Sequence, residues 1–406
     1  MTVHAFQHVR VVDGLGRTLP RATVIVKGDR IIAVGDATQL AAPRGAVRID
    51  GRGLTLLPGL MDCHVHLCLG GDADVVQTVQ QDDPALTLLK AARYARQTLE
   101  AGFTTVRDVG FRDHSIFQLQ RAIDSGLLPG PRIAAAGQVI CMPNGHASFI
   151  GREAEGPDAV VAAVQAQLDA GAEVVKFIAS GGVLTPGTSP DSAQMTPEEL
   201  SAGMAAVRRA GRRVAAHAHS AQGMKNAIRA GAHSIEHATL MDDEAASLMK
   251  THGAVMVPTL SALATTAGCG LSCGVPETAI AKAKAMVSRH KTSFKMAYRA
   301  GITIAMGTDA GTPLNFHGEN AQELERMVAL GMTPMDALVA STSAAARLIG
   351  IGDRVGTIEP GKLADLVLVR GNPLSRITVL QDRERIVGVM QAGKWVAGPL
   401  SENYER

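Results

Sequence analysis

Short runs of aliphatic and β-branched residues open the chain. VRVVDG, ATVIVKG, RIIAVGD and VRIDG fall within the first fifty residues and are separated by Gly and Asp. Runs of this length, broken by turn-forming residues, predict hairpin-like strands. The same character returns near the other end in VGTIEPGKLADLVLVRG and IVGVMQAGKWV. Two strand sets flanking a long middle predict one composite β-sandwich domain built from residues 1–53 and 355–406, with the termini meeting in space.

Between them the pattern changes. Strand-like runs (LTLLPGLMDCHVHL, GFTTVRDVG, PRIAAAGQVI, AEVVKFIASGG, RRVAAHAHS, HSIEHATL, GAVMVPTL and GITIAMGTDAG) alternate with helical stretches such as ALTLLKAARYARQTLEAG, DAVVAAVQAQLDAG and AQELERMVALG. Many of the helical stretches end in Gly, as a left-handed C-cap requires. Eight such units over residues 54–354 predict an α/β architecture, a (β/α)₈ TIM barrel, in which side chains at C-terminal strand ends reach substrate.

Composition narrows the function. A net charge of +2, with no basic run, supplies no field to recruit nucleic acid or an anionic membrane, so a small-molecule partner is expected. No stretch approaches the roughly 20 apolar residues of a membrane span, and MTVHAFQHVRVVDG lacks the pattern of a signal peptide. A cytoplasmic protein is the expectation; a secreted chain with its leader removed would read the same way. Five scattered cysteines do not suggest a disulfide framework, and Cys269 and Cys273 read as loop thiols.

The candidate chemistry gathers at the predicted strand ends. His64 and His66 are two apart, so a strand presents both to one face. Lys176 lies in the apolar run EVVKFIAS, where burial would depress its pKa. A neutral amine there can take up CO₂ and become a carbamate able to bridge two divalent cations. His217 and His219 form a second HxH pair, His237 follows Glu236 on the next strand, and the last strand ends in Gly307-Thr308-Asp309. Polar residues recurring at one end of so many strands point to a metal centre, with ligands enough for two cations about 3.5–4 Å apart. Spacing does not choose between His217 and His219.

In this arrangement LPGLMDCHVHL, VKFIASGG, AAHAHS, SIEHAT, MGTDAG and IEPGKLADLVLV resemble the amidohydrolase superfamily. PNGH, SGGVLTP and HGENAQEL resemble its Xaa-Pro and Xaa-Arg dipeptidase-like carboxypeptidases, a group that includes ochratoxin-hydrolysing enzymes. The resemblance implies that His64, His66 and Asp309 hold one metal, that His217 and His237 hold the other, and that carbamylated Lys176 bridges them. It leaves His146 and His219 to polarise the scissile carbonyl or grip the substrate. Many relatives have Gly in place of Asn144, and some have Tyr in place of His219. The implied cofactors are two divalent ions, Zn²⁺ by the ligand set, and the implied assembly is a homo-oligomer.

The expected reaction is hydrolysis of the amide bond of dipeptides or N-acyl amino acids, ochratoxin A among them, by a hydroxide shared between the metals. Asp309 would act first as base and then as acid toward the departing nitrogen. A mononuclear deaminase or cyclic-imide hydrolase of the imidazolonepropionase type is the enzymatic rival; such enzymes generally lack the strand-four lysine. A catalytically silent scaffold would be expected to have lost ligands, and none is missing here. Three features are read as structural: Arg107 and Asp108 as a pair holding loops, Asn320 with Glu323 as a helix cap, and His4, His8, His114, His233, His252 and His290 as surface or packing residues. His317 is read as bordering the site.

Overall fold

The computed structural model describes residues 2–402. Strands from both ends pair in one eight-stranded sheet. Leu54–Pro58 joins the two halves, running parallel to Val3–Val12 on one side and antiparallel to Leu366–Arg370 on the other. Phe6, Val24, Leu366, Leu368 and Met390 pack together there, fully or almost fully buried, each worth about 1.5–3 kcal/mol by removal from water. The run LTLLPGLMDCHVHL therefore contributes its first residues to this sheet.

The rest of that run begins a second system of parallel strands: β1 (Leu60–Val65), β2 (Phe103–Asp108), β3 (Arg132–Ala135), β4 (Val174–Ile178), β5 (Arg213–Ala218), β6 (Ser234–His237) and β7 (Val255–Val257). The ladders β1–β2–β3 and β4–β5–β6–β7 are continuous. The Glu173 amide donates to the Ala135 carbonyl at 3.0 Å and links them. Parallel bridges Met256–Ile304 and Val65–Ala310 lead through residues 304–310 back to β1. GITIAMGTDAG thus occupies the eighth position as an extended segment held by bridges. PRIAAAGQVI divides in two: its second half, Val139–Cys141, pairs with β4 and not with β2, the chain having turned at Gly137 (φ 71°).

Helices follow the strands. Pro157–Ala170, Ala221–Ala230 and Asp243–His252 each end on a glycine in the left-handed region, at Gly171, Gly231 and Gly253, where a Cβ would be penalised. Thr196 and Glu199 form a reciprocal capping box at the start of Pro197–Arg209. No helix among the described residues is long and apolar enough to cross a membrane.

Two expectations fail here. Cys269 and Cys273 are joined as a disulfide, because the short turn after helix Leu260–Gly268 brings their Cα atoms to 6.1 Å. Asn320 and Glu323 do not cap their own helix, Gln322–Ala329, whose N-cap has no side-chain hydrogen bond. Asn320 donates to Asp62 at 2.7 Å. Glu323 accepts from the Leu260 and Ser261 amides, capping a different helix.

Candidate metal centre

Strand register assembles the site. Ile178 on β4 pairs with His217 on β5, and Ala218 pairs with His237 on β6, so the predicted residues lie side by side at one strand end. His64, His66 and Asp309 each offer an atom within 4.8 Å of the other two, as do His217, His219 and His237. His64 and His237 join the two groups, with ring centroids 5.0 Å apart. His146 reaches the same cluster from the loop after Val139–Cys141, its ring centroid 4.5 Å from that of His217. All these side chains are buried.

One ring nitrogen of each imidazole is already engaged. His64 Nδ1 lies 2.8 Å from Glu236 Oε2, and His66 Nδ1 lies 2.8 Å from the Gly110 carbonyl. His217 Nε2 faces the Gly181 carbonyl at 3.2 Å, His219 Nδ1 faces Thr239 at 2.7 Å, and His237 Nδ1 faces Thr259 at 2.6 Å. A carbonyl or carboxylate partner requires the facing nitrogen to donate, which leaves the opposite nitrogen with a free lone pair when the ring is neutral. For His64 and His66 that nitrogen is Nε2, and both point at Asp309 Oδ1 from 3.3 Å. Lone pairs converging on a carboxylate oxygen are the donor set of a cation site.

Burial holds His217, His219 and His237 well below the ordinary imidazole pKa, with neighbouring imidazoles adding to the effect. They are neutral donors near neutral pH. Burial likewise brings His146 down to about 3. Lys176, 2% exposed, makes no hydrogen bond or salt bridge among the described residues. Burial pulls its amine down to about 8. The residues therefore fit a metal centre: two trios of donors and, lining the same cavity, a buried amine that has neither snorkelled to solvent nor paired with an acid among the described residues.

The backbone supports this reading. His237 (φ 68°), Thr259 (φ 52°) and Asp309 (φ 61°) all adopt the left-handed region, at a cost of about 1–3 kcal/mol each. Asp309 is held there by its amide donating to the His64 carbonyl at 2.7 Å and by Asn315 donating to its own carbonyl at 2.9 Å. Asp62 braces this turn from below, accepting from Thr308 and Asn320.

Sequence reasoning paired Arg107 with Asp108, and the structure separates them. Successive strand residues face opposite ways, so Arg107 reaches across to Glu236 (2.8 Å), Ser234 (3.0 Å) and the Cys63 carbonyl (2.6 Å). Asp108 accepts from the Leu67 and Gly110 amides. Burial would raise Glu236, but Arg107 and His64 hold it down at about 2. Glu236, Thr185, Thr239 and Thr259 were not singled out for roles. Glu236 and Thr239 flank His237 within SIEHAT and could have been read as partners of the ligands; Thr185 and Thr259 carry no such signal. His317 does not line the cavity; it is bound to the carbonyl of Leu69, which does, at 2.9 Å and is stacked on Tyr94.

The cavity above the histidines has apolar walls, including Leu69, Val139, Phe149, Ile178, Val183 and Leu263.

Comparison with known proteins agrees with this geometry. Residues 55–396 match the amidohydrolase family. Ochratoxinase from Aspergillus niger is 31% identical, over 96% of this chain and 85% of its own length. A crystal structure of a Xaa-Pro dipeptidase with methionine bound in its active site superposes with a TM-score of 0.90 at 36% identity, over 97% of this chain and 99% of the other. A prolidase complexed with N-methylphosphonate-L-proline gives a TM-score of 0.90 at 31% identity, over the same shares. Carried by a match that spans the strand ends bearing every donor described above, the chain belongs to the amidohydrolase family, in its dipeptidase- and ochratoxinase-like group.

Proposed function

We propose that this protein is a metal-dependent hydrolase that removes the C-terminal amino acid from dipeptides or N-acyl amino acids, N-aroyl amino acids of the ochratoxin type included. The observation that carries the proposal is one cavity lined by two donor trios and by a buried lysine that makes no hydrogen bond or salt bridge among the described residues. In this reading the circuit of parallel strands is a (β/α)₈ barrel, residues 1–53 and 355–406 form the composite β domain, and the assembled enzyme is a homo-oligomer.

His64, His66 and Asp309 would hold one divalent cation, His217 and His237 a second, and carbamylated Lys176 both; zinc suits the nitrogen and carboxylate donors. Such a pair would supply a hydroxide nucleophile near neutral pH and draw charge from the scissile carbonyl. Asp309, ionised and beside the reacting atoms, takes a proton and returns it to the departing amide nitrogen, which is too basic to leave unprotonated. His146 and His219 stabilise the developing oxyanion; His219 also has a free nitrogen within reach of the His217 and His237 donors. The apolar walls receive the side chain or acyl group and keep the reaction dry.

The test is a hydrolysis screen of N-acyl amino acids and dipeptides varied at the C-terminal residue, with ochratoxin A included. Free acids are expected to be cleaved with higher kcat/KM than their C-terminal amides. Equal values would remove the carboxypeptidase-like reading, and no cleavage of any member would remove amide hydrolysis altogether.

Gly182 supplies a sharper local test. A Cβ at this position would overlap the His146 ring. Gly182→Ala should therefore displace His146 and lower kcat by roughly 10²-fold, the cost of losing one oxyanion donor, while metal content stays constant. Unchanged kcat would remove His146 from the reacting centre.

A further inference from the structure

Lys282 lies on helix Glu277–Arg299, outside the metal cluster, and is part-buried. Its ammonium donates to three backbone carbonyls of one loop: Gly182 (3.2 Å), Thr185 (3.0 Å) and Thr188 (2.7 Å). An ammonium has three N–H bonds and no acceptor capacity, so the three carbonyls use its full capacity. Thr188 adds a hydroxyl bond to the Thr185 carbonyl, making the segment from 182 to 188 a compact turn closed around one cation.

The product of that turn is the placement of Thr185. Its hydroxyl oxygen lies 3.0 Å from His146 Nδ1 and accepts the Ala147 amide at 3.1 Å. One lone pair of the hydroxyl is taken by that amide, and His146 Nδ1 lies within reach as an acceptor for its proton. Donation there would fix the neutral ring with its proton on Nε2, the tautomer that can donate to an oxyanion. The His146 amide is anchored separately by Gln194 Oε1 at 3.0 Å, so the backbone that carries the ring has a support outside the 182–188 loop.

We propose that Lys282 is a positioning residue: by gathering the 182–188 carbonyls it holds Thr185 where its hydroxyl sets the tautomer and direction of the His146 imidazole. The inference rests on the proposed role of His146, but part of its test does not need turnover. A planar guanidinium cannot direct three N–H bonds at three carbonyls gathered around one point, so Lys282→Arg should behave like Lys282→Met.

The experiment compares wild type, Lys282→Met, Thr185→Val, His146→Gln and the Lys282→Met/His146→Gln double variant, with N-benzoyl-L-phenylalanine as probe substrate. In Lys282→Met, amide hydrogen exchange across 182–188 should accelerate, and the nitrogen-15 spectrum of His146 should lose its preference for the Nε2-protonated form. Thr185→Val should show the same spectral change, and it decides the matter if Lys282→Met does not fold. For Lys282→Met kcat should fall roughly 10–100-fold, as for other supports of active-site groups, with metal content unchanged and KM moving much less. The double variant should be no slower than His146→Gln alone, because a residue acting through His146 has nothing left to position. Losses that multiply in the double variant, or His146 nitrogen shifts unchanged in Lys282→Met or Thr185→Val, would overturn the proposal. Absence of turnover in wild type alongside the expected spectral changes would instead locate the failure in the proposed function.

Discussion

Lys176→Ala should cost the protein its metal and its turnover together. A lysine ammonium cannot ligate a cation, so in the proposed centre the residue would contribute only after CO₂ had converted it to a carbamate, and bound cations would in turn retain that labile adduct. Its environment suits the conversion: 2% exposure, no hydrogen bond or salt bridge among the described residues, and a pKa drawn down to about 8 by burial. The alanine variant is expected to lose roughly 10³-fold or more in kcat/KM, since metal-assisted polarisation is worth several kcal/mol. Formate or propionate should restore part of the loss by occupying the vacated bridging position. Lys176→Arg should not be rescued, because its guanidinium stays charged and fills the space. Alanine variants with full metal content and full activity would refute the bridge.

Glu236→Gln should have the largest effect on stability. Arg107 and Glu236 are 1% and 0% exposed and meet at 2.8 Å. Removing one charge leaves the other buried without compensation, which costs about 3–5 kcal/mol. Glu236 also receives His64 Nδ1 at 2.8 Å, so the same change loosens a proposed ligand and should weaken metal binding by roughly 10–100-fold. Arg107→Met should destabilise comparably, and Glu236→Gln/Arg107→Met by less than the sum of the two. Urea unfolding of the metal-free proteins reads these differences; a Glu236→Gln midpoint equal to wild type would mean that the pair carries no such weight.

The candidate site residues at strand ends were legible in the sequence because the two-residue period of a strand places His64 with His66, and His217 with His219, on one face before any fold is known. What tied them together was not. Glu323 caps a helix 63 positions away and Asn320 reaches Asp62 across 258 positions, whereas a local spacing rule sees only the N-x-x-E that joins them to each other. Arg107 bonds to Glu236 across 129 positions, a partnership that adjacency to Asp108 conceals. The same limit applies to PRIAAAGQVI, where a continuous apolar run hides the turn at Gly137, and to Cys269 and Cys273, whose pairing depends on the turn between them. Sequence patterns report which face a side chain takes; long-range packing decides what it meets there.

The proposed reaction depends on a pair of divalent cations. The most direct measurement is elemental analysis of the purified protein, joined to hydrolysis of an N-acyl amino acid before chelation, after it, and after addition of zinc and bicarbonate. Close to two divalent ions per chain are expected, with turnover lost on their removal and recovered when they return. A protein freed of metal that cleaves the amide at its original rate would contradict it.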